Sequence, residues 1–217
     1  FLARCSKPVL NRPDRVMRTR RDRTAALLGG LEGVVVPRTV RVSGEAAARG
    51  GLRPLAEAHG FCAPLLARPA GLHGGQGLVR AETLDGLDGP EPAAGDHYLI
   101  DYVDYRSADG LYRKYRMLFV GGEPFAYHQA ISDHWLVHHD TAGMADHPQR
   151  RAEEIRFLSE PGAIIGRAGV DAIARIGRAL ELEYCGVYVS VRADGRVLVF
   201  EANATMLAHR EDPDGLY

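Results

Sequence analysis

Lysine is nearly absent from this chain of 217 residues: only Lys7 and Lys114 occur, so all but two of its 27 basic residues are arginine. With 25 glycines and abundant alanine, this reads as the coding bias of a GC-rich genome and makes any single arginine a weaker signal than usual. Net charge is equally scarce. The 27 basic residues are balanced by 28 acidic ones, which argues against nucleic-acid binding by bulk attraction. No apolar run approaches the roughly 18 residues of a membrane-spanning helix, so no membrane partner is expected. The three cysteines, Cys5, Cys62 and Cys185, are widely spaced and odd in number. Their spacing suggests neither zinc nor a disulfide framework and favours a reducing, cytoplasmic setting. The chain opens Phe-Leu-Ala-Arg-Cys, with its first methionine at Met17 and no signal-peptide pattern, so a further N-terminal portion is expected ahead of Phe1. What remains, 46% hydrophobic and 25% charged residues, is the composition of a globular chain and suits one large domain or two small subdomains.

Periodicity and punctuation predict a mixed order of elements. An extended segment runs from Lys7 to a turn at Asn11-Arg12-Pro13, followed by a helix from Asp14 to about Leu28 that Gly29-Gly30 stops. Gly33 to Val42 reads as a strand weakened at Pro37, and Ala46 to His59 as a helix. Phe61 to Arg68 and Leu78 to Arg80 flank a glycine-rich stretch, a β-loop-β unit. Asp85 to Gly95 is a connecting loop, and His97 to Val103 a strand. Leu111–Val120 and Pro124–Ala130 flank Gly121-Gly122, a hairpin. Helices are expected over Arg150–Leu158 and Gly169–Glu183, the latter with Ile173, Ile176 and Leu180 on one face. Without a regular βαβα alternation, the fold class read here is α+β.

Two segments carry chemistry. Tyr184–Arg192 and Arg196–Asn203 are apolar strands joined through Asp194-Gly195, read as a two-residue type I′ turn. Ala193 then faces Arg196, Tyr188 faces Glu201, and Gly186 faces Asn203, with Tyr188, Glu201 and Asn203 on one face. A Glu-x-Asn there either faces solvent, as strand ends commonly do, or supplies oxygen ligands to a hard cation such as Mg²⁺. In the other segment, Arg68-Pro69 ends a strand and leads into a loop with Gly71, Gly74, Gly75 and Gly77. Such a loop either makes a plain turn or brings backbone N–H groups close to phosphate oxygens. It is neither a Walker A motif nor a dinucleotide fingerprint.

Asp22-Arg23, Val35-Val36-Pro37-Arg38-Thr39, Arg68-Pro69 with its glycine loop, Ile100-Asp101-Tyr102-Val103, Tyr115-Arg116 and Phe200-Glu201-Ala202-Asn203 follow one another in a familiar order. Over residues 12–207 the sequence resembles the ATP-grasp superfamily, nearest to glutathione-synthetase-like and ribosomal-protein-modifying carboxylate–amine ligases. The resemblance implies two α+β subdomains clamping a nucleotide between them, divided at 12–95 and 96–217. It implies ATP and Mg²⁺ as cofactors and small-molecule or peptide carboxylates and amines as substrates. The carboxylate would be activated as an acyl phosphate and attacked by the amine, giving ADP and phosphate. Arg23 and Arg68 stand where the family usually has phosphate-binding lysines. Gly74 and Gly75 would close over the phosphates. Asp101, Tyr102 and Val103 would hold adenine through backbone groups and Asp104 the ribose. Arg116 would face the transferred phosphoryl group, and Glu201 and Asn203 would hold the metal. Tyr188 departs from the pattern, because the family usually has a metal-binding Asp there. A degenerate nucleotide-binding module with a regulatory or scaffolding role is therefore the alternative, and an ATP-grasp kinase a third. Ligases of this type are often homo-oligomers.

Further candidates have plainer readings. His134 and His138 are spaced i, i+4, yet the segment is not convincingly helical and offers no Cys, so a surface loop or a loop lining the acceptor site competes with a zinc site. Cys185, inside an apolar strand, reads as a small core residue. The basic run Arg18–Arg23 reads as a solvated helix face, with Arg23 the exception.

Overall fold

The computed structural model describes residues 6–7, 9–88, 95–138 and 141–208. Cys5, the middle of the loop expected over 85–95, and His139-Asp140 of the His-rich stretch lie outside them. Residues 36–104 form one compact unit, and the residues up to Val35 together with those from Tyr105 onward form the other. This division differs from a sequential split after residue 95, because the residues before Val36 contribute to the sheet built by the last strands.

In the unit 36–104, strands β2 (Thr39–Val42), β5 (His97–Asp101), β3 (Leu65–Pro69) and β4 (Val79–Ala81) form a four-stranded sheet in that spatial order, every pair antiparallel. Helices α3 (Gly44–Gly50) and α4 (Leu52–Ala58) supply Ala47, Leu52 and Ala56 to a core shared with Val42, Phe61, Leu65 and Leu99. The Ser43 hydroxyl caps α3 by accepting the Ala46 N–H at 3.2 Å. The single helix expected over 46–59 is thus two, broken at Gly51 and starting two residues earlier. The β-loop-β unit is present, with Leu65 opposite Ala81.

The other unit opens with α1 (Pro13–Val16), a 3₁₀ turn at Met17–Thr19 and α2 (Arg21–Leu28). The long helix read from the sequence is interrupted because Arg20 is extended, with ψ 137°. The strand read over 33–42 is also split. β1 (Val34–Val35) pairs in parallel with β9 (Val197–Asn203), whereas β2 belongs to the other unit. Pro37 sits in the gap, where it has no ladder hydrogen bond to break. The five-stranded sheet runs β1-β9-β8-β6-β7, with β6 (Tyr112–Val120), β7 (Glu123–Ser132) and β8 (Tyr184–Val191). Gly121-Gly122 turns β6 into β7 as expected.

Helices α5 (Pro148–Ser159) and α6 (Pro161–Leu180) cover the β6 face bearing Tyr115 and Phe119. Phe157 packs against Tyr115 with ring centroids 4.9 Å apart, and Ile173, Ile176 and Leu180 are buried as their helical spacing predicts. Among the described residues, no helix is long and apolar enough to cross a membrane.

Candidate functional site

The opposite face of β6 presents Lys114 and Arg116, since residues two apart in a strand share a face. Arg116 stands opposite Tyr188 in β8, and Tyr188 opposite Glu201 in β9, so the three side chains cross the sheet in a row. Gly186 faces Asn203, as the sequence reading placed it.

The turn that delivers this register is different. Arg192 and Arg196 close the hairpin, the Arg192 N–H donating to the Arg196 carbonyl at 3.0 Å. Three residues, Ala193-Asp194-Gly195, make the loop, and Gly195 takes φ 78°, the left-handed position of a three-residue turn. Val191, Ser190 and Val189 consequently pair with Val197, Leu198 and Val199, one residue out of step with the two-residue turn. A bulge at Phe200 restores the step. It also inverts the alternation of β9. Val199 and Ala202 lie buried on the helix-covered side, and Glu201 and Asn203 join Tyr188.

Glu201 is ion-paired with Arg21, whose other nitrogen donates to the Phe200 carbonyl at 3.0 Å. The two side chains are 20% and 16% exposed, so water screens the pair little. Asn203 Oδ1 accepts the Thr205 N–H at 2.8 Å and its hydroxyl at 3.1 Å. Tyr188 is half-buried. Burial raises its hydroxyl pKa, Arg116 opposes the rise and Glu201 adds to it, so the phenol stays neutral at pH 7. Lys114 Nζ lies 4.4 Å from the Tyr188 ring centroid and donates to the Val137 carbonyl at 3.2 Å. The Arg116 guanidinium lies 4.6 Å from the Tyr127 ring centroid and donates to the Leu207 carbonyl.

The residues after β9 fold back over this face. Asn11 donates to the carbonyls of Tyr184 and Ala204, and the Tyr184 hydroxyl donates to that of Met206 at 2.5 Å. Met206 is buried against Gly186, where a Cβ would fall 2.0 Å from its sulfur.

The candidate residues of the unit 36–104 form their own set. Arg68 is only 5% exposed, stands opposite Tyr98 and donates to the Leu72 carbonyl at the start of the glycine loop. The loop is two successive turns, with Gln76 N–H donating to the His73 carbonyl and Leu78 N–H to that of Gly75. Gly71, Gly74, Gly75 and Gly77 all have positive φ, a backbone that side chains with a Cβ resist. The Asp101 carboxylate is held by both nitrogens of an Arg38 fork, at 3.1 and 3.2 Å. Arg80 stacks 3.9 Å from the Tyr102 ring centroid. The β5 ladder stops at Asp101, and Tyr102, Val103 and the exposed Asp104 follow outside it.

Glu201 and Asn203 offer one carboxylate and one amide oxygen two residues apart on one face. That set suits a single hard cation which also takes phosphate oxygens and water. Among the described residues, no group of three or more His, Cys, Asp or Glu could hold a metal ion. In the His-rich stretch, His134 Nδ1 accepts the Leu136 N–H at 3.2 Å.

No family model matches the chain, and no curated protein matches it. Solved structures do. The chain is similar to the ATP-grasp ligase PsnB complexed with the precursor peptide PsnA2 and AMPPNP, at 16% identity and a TM-score of 0.51, over 93% of this chain and 54% of that one. The chain has the ATP-grasp fold. The same ATP-grasp architecture is matched by the D-alanine–D-alanine ligase of Coxiella burnetii, at 15% identity and TM-score 0.50, over 85% of this chain and 47% of that one. It is matched again by N5-carboxyaminoimidazole synthase from Aspergillus clavatus, solved with ADP and 5-aminoimidazole ribonucleotide, at 12% identity and TM-score 0.54, over 93% and 48%. The chain thus spans about half the length of the solved structures it matches.

Within this ATP-grasp frame, Arg116, Glu201 and Asn203 share one face, whereas Arg23 does not join them. Arg23 is exposed on α2, and Arg21 reaches Glu201 instead. Residues i and i+2 of a helix point to different sides, so only one of the two can serve that face. The basic run is therefore less a solvated face than a set of ties: Arg18 pairs with Glu181, Arg20 with Asp22, and Arg21 with Glu201. Lys114 escaped the sequence reading. Its alternation with Arg116 and its rarity in the composition were the signals that could have found it.

Proposed function

We propose that the chain is the ATP-grasp part of an ATP- and Mg²⁺-dependent ligase that activates a carboxylate as an acyl phosphate for attack by an amine or another nucleophile. The observation that supports this most is the bulge at Phe200, which turns Glu201 and Asn203 onto the face that carries Arg116. Glu201 and Asn203 would hold Mg²⁺, which supplies charge neutralisation at phosphate oxygens. Arg116 would bind the transferred phosphoryl group through its guanidinium, after giving up the Leu207 carbonyl. In the unit 36–104, the glycine loop at Gly74-Gly75 would offer N–H groups to phosphate, with Arg68 behind it. The backbone of Asp101–Val103, beyond the end of the β5 ladder, would serve adenine, and Asp104 the ribose. Arg23 would act on phosphate only from outside the face that Arg21 occupies. Catalysis of this kind rests on positioning and charge, with little covalent work for the protein.

The substrates in this reading are small-molecule or peptide acids and amines, as the PsnB complex with its precursor peptide suggests by analogy of fold. A second reading, a nucleotide-binding module without ligase activity, is favoured by the neutral Tyr188 and by Arg21 occupying Glu201.

Calorimetric titration of ATP and ADP with and without Mg²⁺, followed by phosphate release with acids and amines supplied, separates the two. The ligase predicts Mg²⁺-dependent binding that Glu201→Ala abolishes, and acid-dependent phosphate release. Binding that ignores Mg²⁺ selects the module, and no binding of either nucleotide removes both.

A further inference from the structure

Lys114 stands out by composition before geometry. In a chain that writes arginine at all but two basic positions, one of the two lysines lies on the same sheet face as Arg116, Tyr188 and Glu201. Lysine differs from arginine in being a compact point charge with freely rotating donors. Arginine is a planar fork suited to two-oxygen contacts. At position 114, where arginine would be the default, the chain thus presents a compact ammonium.

The surroundings agree. Its ammonium lies 4.4 Å from the Tyr188 ring centroid, close enough for the ring's negative face to hold it, and it donates to the Val137 carbonyl at 3.2 Å. It is therefore held over the sheet beside Tyr188 and does not extend away along its stem. The named charges on or reaching this face are Arg21, Lys114 and Arg116 against Glu201, which Arg21 already neutralises. Among the described residues, no group of three or more His, Cys, Asp or Glu is placed to hold metal there. The face has instead fixed positive charge of its own for a polyanion.

Resting on the ATP-binding reading above, we propose that Lys114 is a phosphate-binding residue, and that its ammonium supplies at Tyr188 the charge a second divalent cation would bring. The site then takes a nucleoside polyphosphate together with one divalent cation, held by Glu201 and Asn203. The ammonium swings from the Tyr188 ring to phosphate oxygens on binding, and Tyr188 acts as its resting place.

Titration of Mn²⁺, followed by its electron paramagnetic resonance signal, into the full chain with AMPPNP counts the bound cations, and calorimetry gives the nucleotide affinity. The wild-type chain is expected to bind one Mn²⁺ per nucleotide. Lys114→Gln is expected to weaken AMPPNP binding about tenfold or more while leaving AMP binding nearly unchanged. Lys114→Arg should recover only part of that loss. The double variant Lys114→Gln, Tyr188→Asp is expected to bind a second Mn²⁺. Circular dichroism establishes that each variant is folded. Two Mn²⁺ per nucleotide in the wild type, or AMPPNP affinity unchanged in folded Lys114→Gln, overturns the role of Lys114 and leaves the ATP reading standing. Failure of the wild type to bind AMPPNP overturns both.

Discussion

At the scale of single residues, the site is a set of local competitions. In the proposed reading a cation would have to displace Arg21 from Glu201, and a phosphoryl group would have to displace the Leu207 carbonyl from Arg116. Replacing Arg21 by Gln removes the guanidinium that is ion-paired with the part-buried Glu201 carboxylate. Stability should fall by about 1–3 kcal/mol, read from urea unfolding, while Mg²⁺ affinity rises because the competing cation has gone. A fall in Mg²⁺ affinity together with stability would mean that Arg21 supports the ligand directly. The thiols give a second check. Burial pushes Cys185 up to about 12, whereas Cys62 is exposed, so a disulfide reagent at pH 8 should modify Cys62 in the native chain and reach Cys185 only after unfolding. That Tyr188, Glu201 and Asn203 share a face was legible in the sequence through strand alternation and hairpin pairing, whereas Arg116 was singled out only through the ATP-grasp resemblance. Arg21 was not legible, since the sequence alone cannot say where a helix starts to within the two residues that rotate Arg23 out and Arg21 in.

At the scale of elements, the β8–β9 hairpin reached the expected pairing through two compensating features, a longer turn and a bulge. Pairing by counting from Asp194-Gly195 gives Tyr188 opposite Glu201 either way, but it would place Val189 opposite Phe200. The strand pattern itself carries the trace: Val197 and Val199 alternate, and then Ala202 breaks the step. Helix 14–28, strand 33–42 and helix 46–59 were each read as continuous, because apolar periodicity averages across a single extended residue, a proline or a glycine. The amphipathic part of α6 survived that averaging, for its apolar face repeats over several turns. Where the segment after β9 crosses β8, Gly186 gives space to Met206. Gly186→Ala should expel that side chain and cost about 1–3 kcal/mol, seen as a lower thermal midpoint with the strands intact by circular dichroism.

At the scale of the whole molecule, the mixed order of elements indicated the α+β class and the order of motifs the fold, while the division into units was hidden because it joins distant parts of the chain. Stability in acid is expected to depend on the network around Arg113, which pairs with Asp109 and Glu153. Hydrogen bonding from Arg113 lowers the pKa of Asp109. Burial raises that of Glu153, but hydrogen bonds from Arg113 and Gln129 outweigh it, so both carboxyls titrate below their unfolded values of about 4. Their contribution is complete above that pH and is lost as pH falls through the lowered folded values. Denaturant unfolding followed from pH 6 to pH 2 should show this loss, with a shallower fall in Glu153→Gln.

The pairing of β1 with β9 has a consequence for how the chain is made. Val34 and Val197 are partners, with the entire unit 36–104 emerging from the ribosome between them. That inserted unit is continuous in sequence and closes its own four-stranded sheet early, whereas its host waits for its last strand. Glu201 meets Arg21 only when translation of β9 is complete, so the face that would handle ATP is assembled only after the inserted unit has been made.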